Sequence, residues 1–160
     1  MSDNIPEIVV GRLLKQRGFK LAMAESCTGG LVGHRITNVS GSSAYYQGSI
    51  TAYSNEIKEQ MLQVKRETLS RHGAVSEQTA LEMAQGVRRA FHADIGLAVT
   101  GIAGPHGYTP EKPVGLTYIA LAAPDIEIVE RYVWSGDRRE NKACSAEAVL
   151  DLLRRYLEDE

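Results

Sequence analysis

Apolar positions along this chain switch repeatedly between a helical and a strand period, and the switching predicts the order of elements. Ile5, Ile8, Val9, Leu13 and Leu14 follow a helical repeat that Gly18 ends, and the spacing of Asn4 and Glu7 predicts a capping box at its start. Phe19 to Ala24 reads as a short, largely apolar strand, and Leu31, Val32, Ile36 and Val39 lay one apolar stripe along a second helix. After a turn cluster at Ser40 to Ser43, Tyr45 to Tyr53 is aromatic and β-branched enough for a strand. Ser54 or Asn55 then caps a short helix carrying Ile57, Lys58, Met61 and Leu62. Ser76 opens a stronger helix with a broad apolar face that includes Ala80, Met83, Ala84 and Val87. Asp94 to Thr100 and Gly115 to Ala123 are buried-strand candidates, while Ile126 to Trp134 alternates as an edge strand with one wetter face. Asp137 and Glu140 repeat the capping-box spacing ahead of a closing helix that runs to Leu157. Helices interleaved with strands, and two adjacent strands late in the chain, predict one α/β layered domain over residues 1–160, built on a mixed sheet.

Charge and composition narrow the function classes. A net charge of -2 over 160 residues, with both signs interspersed, offers no field for a nucleic-acid backbone. The first residues lack a basic segment followed by a long apolar one, and no stretch approaches the length of a membrane span, so a soluble, cytoplasmic protein is expected. Cys27 and Cys144 have no metal-ligand or Cys-x-x-Cys spacing and are expected as free thiols.

The run Ala24-Glu25-Ser26-Cys27-Thr28-Gly29-Gly30 carries the most chemistry, because it closes a strand with a hydroxyl, a thiol and two glycines where a helix begins. Helix N-termini present unpaired N–H groups and partial positive charge, which suits an oxyanion or a phosphate. The same residues also make an ordinary capped turn, with Ser26 and Thr28 as caps and the glycines reversing the chain. Dinucleotide, P-loop, zincin and G-x-S-x-G signatures are absent, and His34, His72, His92 and His106 are scattered without ligand spacing. No metal or cofactor is called for. His34 and His92 are expected in helices, His72 and His106 in loops.

Without histidine, activation of Ser26 requires a lysine or tyrosine, and Tyr53 and Lys58 follow the second strand. Lys58 as a solvated helix residue and Tyr53 as the edge of the core fit the same spacing, and spacing alone does not bring Ser26 to Lys58. Thr100-Gly101-Ile102-Ala103-Gly104-Pro105 makes a second glycine turn at a strand end, so two such turns would frame the crevice where open α/β sheets bind ligands. Lys112 and Arg138 are candidate cations for an anionic substrate.

Six motifs in order resemble the CinA C-terminal-domain family, which includes stand-alone nicotinamide-nucleotide amidohydrolases. They are Ala24 to Gly30, Tyr53 to Lys58, Gly73-Ala74-Val75-Ser76-Glu77, Thr100 to Pro105, Glu111 to Gly115, and Gly136-Asp137-Arg138. The resemblance implies a three-layer α/β/α domain with a mixed, mostly parallel sheet that hydrolyses the carboxamide of nicotinamide mononucleotide to nicotinate mononucleotide and ammonia. It implies Ser26 as nucleophile with Tyr53 and Lys58, and substrate-pocket positions at Thr28, Gly29, Gly30, Thr100, Gly101, Gly104 and Arg138. It also implies no metal, and a homodimer is compatible with it. Gly48-Ser49, His106 and Tyr108 depart from the usual pattern and leave open which nucleotide fits. Two alternatives remain: a nucleotide-binding regulatory module without turnover, and an amidase for another small heterocyclic amide.

Overall fold

The computed structural model describes residues 4–159. Helix α1 (Pro6–Arg17) leads to strand β1 (Leu21–Glu25), helix α2 (Leu31–Thr37), a 3-10 turn at Ser42–Ala44 and strand β2 (Tyr46–Thr51). Helices α3 (Asn55–Leu62), α4 (Arg66–His72) and α5 (Glu77–Ala90) precede strands β3 (Ile95–Gly101), β4 (Leu116–Ala122) and β5 (Glu127–Val133), and helix α6 (Arg138–Asp159) closes the chain. The five strands form one sheet in the order β2-β1-β3-β4-β5. β1 pairs in parallel with both β2 and β3, whereas β4 runs antiparallel to β3 and β5, so β4 alone opposes the common direction.

Alternation along the strands divides the interior into two cores. Leu21, Met23, Ile95, Leu97, Val99, Ile119 and Leu121 face the layer of α1, α2 and α6. On the opposite face the same strands present Ala22, Ala24, Ala98, Ala120 and Ala122, which meet α5 residues such as Met83 and Val87. The small residues let α5 lie unusually near the sheet: a Cβ on Gly96 would stand 2.2 Å from the Ala84 carbonyl oxygen. α5 is equally close to the end of α3, where a Cβ on Gly86 would stand 1.8 Å from the Leu62 carbonyl oxygen. α5 therefore links the sheet to α3, the helix that carries Lys58. The result is the three-layer α/β/α arrangement with a mixed sheet.

Three expectations need correction. No capping box starts α1: the N-cap is Ile5, Pro6 occupies the first turn, and Glu7 reaches across to Arg35 of α2, 2.7 Å away. Helix α4 has no buried residue and one packed apolar side chain, Leu69, so its polar sequence carries no stripe; Lys65 N–H and Thr68 Oγ1 instead donate to Glu82 on α5. This places His72 at the end of a helix, while His92 lies beyond α5 with φ 50. Finally, β2 ends at Thr51, so Tyr53 stands in the connection to α3 and not in the strand. Ser76 and Asp137 cap as expected, accepting from the amides of Thr79 and Glu140.

Replacing Gly86 with alanine drives a methyl group into backbone that has no side-chain freedom to yield. Gly86→Ala is expected to lower stability by about 3 kcal/mol, read as a lower urea midpoint with an unchanged slope.

Candidate active site

The carboxyl ends of β1, β2 and β3 point to one edge of the sheet, and the chain leaves β1 and β2 toward opposite faces. Side chains from all three exits converge there, as expected at the switch point of an open α/β sheet. Along β1, Glu25 continues the set that faces α2, and the next residue, Ser26, turns to the α3 side, with its N–H still paired to the Val99 carbonyl.

The Glu25 side chain is fully buried under the start of α2. One carboxylate oxygen accepts from Thr28 Oγ1 at 2.6 Å and from the Val32 amide at 3.0 Å, and the other accepts from the Gly33 amide at 3.0 Å. Glu25 thus occupies the positive end of α2. The Thr28 hydroxyl is committed to that carboxylate, and the Gly29 amide donates to the Ser26 carbonyl. The Thr28 hydroxyl thus points to the buried carboxylate and away from the cleft. Apart from the contact of the Cys27 amide with its own thiol, the amides of Cys27, Thr28 and Gly30 make no hydrogen bond among the described residues.

Lys58 is 1% exposed, and its Nζ lies 3.0 Å from Ser26 Oγ. It donates to the carbonyls of Ala52 at 2.8 Å and Tyr53 at 3.2 Å. Position follows from local structure: Ser54 caps α3 by accepting from the Ile57 amide, and Lys58 comes one residue later, on the face toward β1. Burial strips water from the ammonium and pulls its pKa down to about 8. Cys27, beside it in sequence, is buried and pushed up to about 12 by the same desolvation, so it stays a neutral thiol and not a rival nucleophile.

Ser26 and Lys58 form the floor of a cleft of about 280 Å3. Thr100 and Gly101 from β3 make one wall, and Ile102, Ala103, His106 and Gly107 continue it. The Thr100 hydroxyl donates to the Ala74 carbonyl at 2.8 Å, tying β3 to the segment before α5. Gly101 is needed for space, because a Cβ there would meet Thr117 Oγ1 at 2.7 Å and Cys27 Sγ at 3.2 Å. Arg138, at the first turn of α6, reaches over to donate to the Gly104 carbonyl at 2.8 Å and to Tyr53 Oη at 3.1 Å. Asn141 holds the same loop by donating to the Ala103 carbonyl at 3.0 Å.

Spacing left open whether Ser26 meets Lys58, the family resemblance implied it, and the fold brings the two together. Tyr53 is different: its ring is 63% exposed at the cleft rim, its hydroxyl meets Arg138, and Lys58 contacts its backbone carbonyl. Thr100, Gly101 and Arg138 line the cleft, whereas Thr28, Gly29, Gly30 and Gly104 do not. Lys112 is tied to the His72 carbonyl and lies outside the lining. Of the departures, His106 lines the cleft, Tyr108 does not, and Ser49 is bonded to Tyr46 near α2. Ala74 and Val75 also line it; their signal was the Gly73 to Glu77 motif, which no chemical argument had placed at the site. Among the described residues no cluster of three or more His, Cys, Asp or Glu side chains is arranged to hold a metal, and no helix is long and apolar enough to cross a membrane.

Residues 3–157 match the model of the CinA C-terminal domain. A CinA-like protein from Syntrophomonas wolfei is 50% identical over 151 residues, covering 94% of this chain and 36% of that protein. The chain thus spans a little over a third of the curated relatives it matches. The crystal structure of a competence-damaged protein (CinA) superfamily protein from Klebsiella pneumoniae is 32% identical, with a TM-score of 0.93 and 97% of each chain covered. That of the competence/damage inducible protein CihA from Agrobacterium tumefaciens is 37% identical, with a TM-score of 0.89 over 96% of this chain and 95% of that one. A family match over nearly its whole length, on a matching fold, makes this chain a member of the CinA C-terminal domain family.

Proposed function

We propose that this protein hydrolyses the carboxamide of nicotinamide mononucleotide, giving nicotinate mononucleotide and ammonia, with Ser26 as nucleophile and Lys58 as the proton-transferring base. The observation that carries this reading is the buried Lys58 Nζ, 3.0 Å from Ser26 Oγ and within hydrogen-bond reach of two carbonyls. A neutral amine has two hydrogens and one lone pair. The carbonyls of Ala52 and Tyr53 accept the hydrogens, which leaves the lone pair for the Ser26 hydroxyl proton. The ammonium form is satisfied by the same three oxygens, so the lysine gains or loses a proton without rearrangement.

In the forward step Ser26 Oγ bonds to the carboxamide carbon while its proton moves to Lys58 Nζ. The amides of Cys27, Thr28 and Gly30 are donors within this turn that remain for the developing oxyanion, an interaction worth about 3 kcal/mol for one well-placed donor. The C–N bond then breaks, and nitrogen leaves as ammonia carrying the proton from Lys58. Water attacks the resulting ester, gives its proton to Lys58 and releases the acid, and the proton returns to Ser26 Oγ. The Tyr53 ring and Arg138 close the rim over a planar substrate ring, with Thr100 and Gly101 opposite.

Ser26→Ala and Lys58→Met are each expected to lower ammonia release from nicotinamide mononucleotide roughly 10³-fold or more, with circular dichroism unchanged. Wild-type turnover by either variant excludes the mechanism. With Lys58 near pKa 8, about one molecule in ten carries the neutral amine at pH 7. Accordingly, kcat/KM is expected to rise with pH and level off above about 8. A profile flat from pH 6 to 9 contradicts a lysine base.

The same shift predicts a stability effect. The folded pKa lies below the ordinary value of 10.5, so between pH 8 and 10.5 the unfolded chain binds more protons than the folded one, and stability rises with pH. Wild type should therefore gain roughly 3 kcal/mol on Lys58→Met across that window. Urea titrations of both proteins at the two pH values measure the difference, in which other titrating groups cancel.

A further inference from the structure

Beyond β3 the chain forms a wall of the cleft that the sheet does not hold. Ile102 still has backbone partners: its amide donates to the Leu116 carbonyl at 2.8 Å, and its carbonyl accepts from the Gly115 amide at 2.7 Å. From Ala103 to Tyr108 no backbone hydrogen bond follows among the described residues. Two side chains of α6, one turn apart, grip this stretch at consecutive carbonyls instead: Asn141 at Ala103, 3.0 Å, and Arg138 at Gly104, 2.8 Å. Ala103, His106 and Gly107 line the cleft, whereas Asn141 is buried and does not. Arg138 is exposed and shared with Tyr53 Oη, but Asn141 is 2% exposed and both ends of its amide are spent. Its Nδ2 donates to Ala103, and its Oδ1 accepts from the Gly136 amide at 3.0 Å. A carbonyl on one side and an N–H on the other fix the orientation of the side-chain amide. The Asn141 backbone is held within the helix, where its carbonyl also accepts from Ser145 Oγ at 2.8 Å.

We propose that Asn141 is a positioning residue for the substrate ring: its hold on the Ala103 carbonyl sets where this wall stands relative to Ser26 and Tyr53, and so how closely a planar ring is gripped. The proposal rests on the amidohydrolase reading for the identity of the ligand. Ser26 and Lys58 make none of their hydrogen bonds to the wall, so displacing it alters the fit and leaves the proton transfer in place. The Ala103 carbonyl is the point at which the wall yields. Without the Asn141 donor a buried acceptor loses its partner, and the wall moves until water reaches it.

The test uses Asn141→Leu and Asn141→Asp in the full chain. Leucine removes both polar ends, and KM for nicotinamide mononucleotide is expected to rise about tenfold with kcat within about twofold of wild type. Binding of nicotinate mononucleotide, measured by calorimetry, should weaken to match. Aspartate separates positioning from packing. Ionised, it keeps an acceptor for Gly136 but turns an oxygen on the Ala103 carbonyl; protonated, it carries a hydroxyl that donates there as asparagine does. Product affinity of Asn141→Asp relative to wild type at equal pH is therefore expected to recover as pH falls from about 8 to about 5, while that of Asn141→Leu stays low. The titratable groups around this position, Asp137, Arg138, Glu140, Lys142, His106 and Cys27, are common to all three proteins, so the ratio cancels them. Wild-type KM in Asn141→Leu, or a fall in kcat with KM unchanged, overturns the proposal, as does an Asn141→Asp defect that pH does not relieve. If leucine prevents folding, the aspartate series decides alone. Failure of wild type to release ammonia, with product binding still following Asn141 and pH in this way, removes the amidohydrolase reading and leaves the positioning role standing. Wild type that binds no mononucleotide removes both.

Discussion

The site depends on one buried carboxylate. Glu25 sits at the end of β1 with no access to solvent, an arrangement that costs several kcal/mol unless every lone pair is matched. Two amides at the start of α2, the Thr28 hydroxyl and the positive end of the helix dipole meet that demand. Since the amides belong to the helix and the carboxylate to the strand, the interaction fixes the path of the intervening turn. Ser26 lies inside that path. Its position is a by-product of the requirement to neutralise its neighbour.

A second constraint acts from the other side of the sheet. Ala22, Ala24, Gly96, Ala98, Ala120 and Ala122 keep the middle of that face small, so α5 packs near the sheet, and α5 in turn seats α3 through the contact of Gly86 with Leu62. Lys58 is carried by α3, and its depth follows from this chain of close approaches. Arg138 adds a tie between three separate segments at the rim, which makes the cleft width a property of α6 as well as of the strands.

Much of this was readable in the sequence, for definite reasons. Strand and helix periods gave the element order because apolar burial dominates it, and Gly18, Ser76 and Asp137 mark helix ends as their chemistry requires. Helix α4 escaped because its contacts are polar and reach Glu82 in another helix, which no local period registers. Ser26 and Lys58 were visible as residue types, but their separation of 3.0 Å is set by packing between layers. The Thr28 bond to Glu25 was not legible, because the donors at a helix start look free until a buried acceptor from the preceding strand is placed beneath them. Tyr53 was read by its phenol, whereas its contact with Lys58 is through the backbone, which any residue offers.

Glu25, the last residue of β1, is an acid, and Ser26 directly after it is the partner of a base; the alternation of the strand sends them to opposite faces of the sheet. Were Glu25 and Lys58 on the same side, they would form an ion pair, the lysine would hold its proton, and no lone pair would remain for Ser26. The sheet therefore acts as an insulating partition. One compartment holds an acid bonded into the architecture, while the other has no carboxylate bonded to the lysine, so that a proton can come and go.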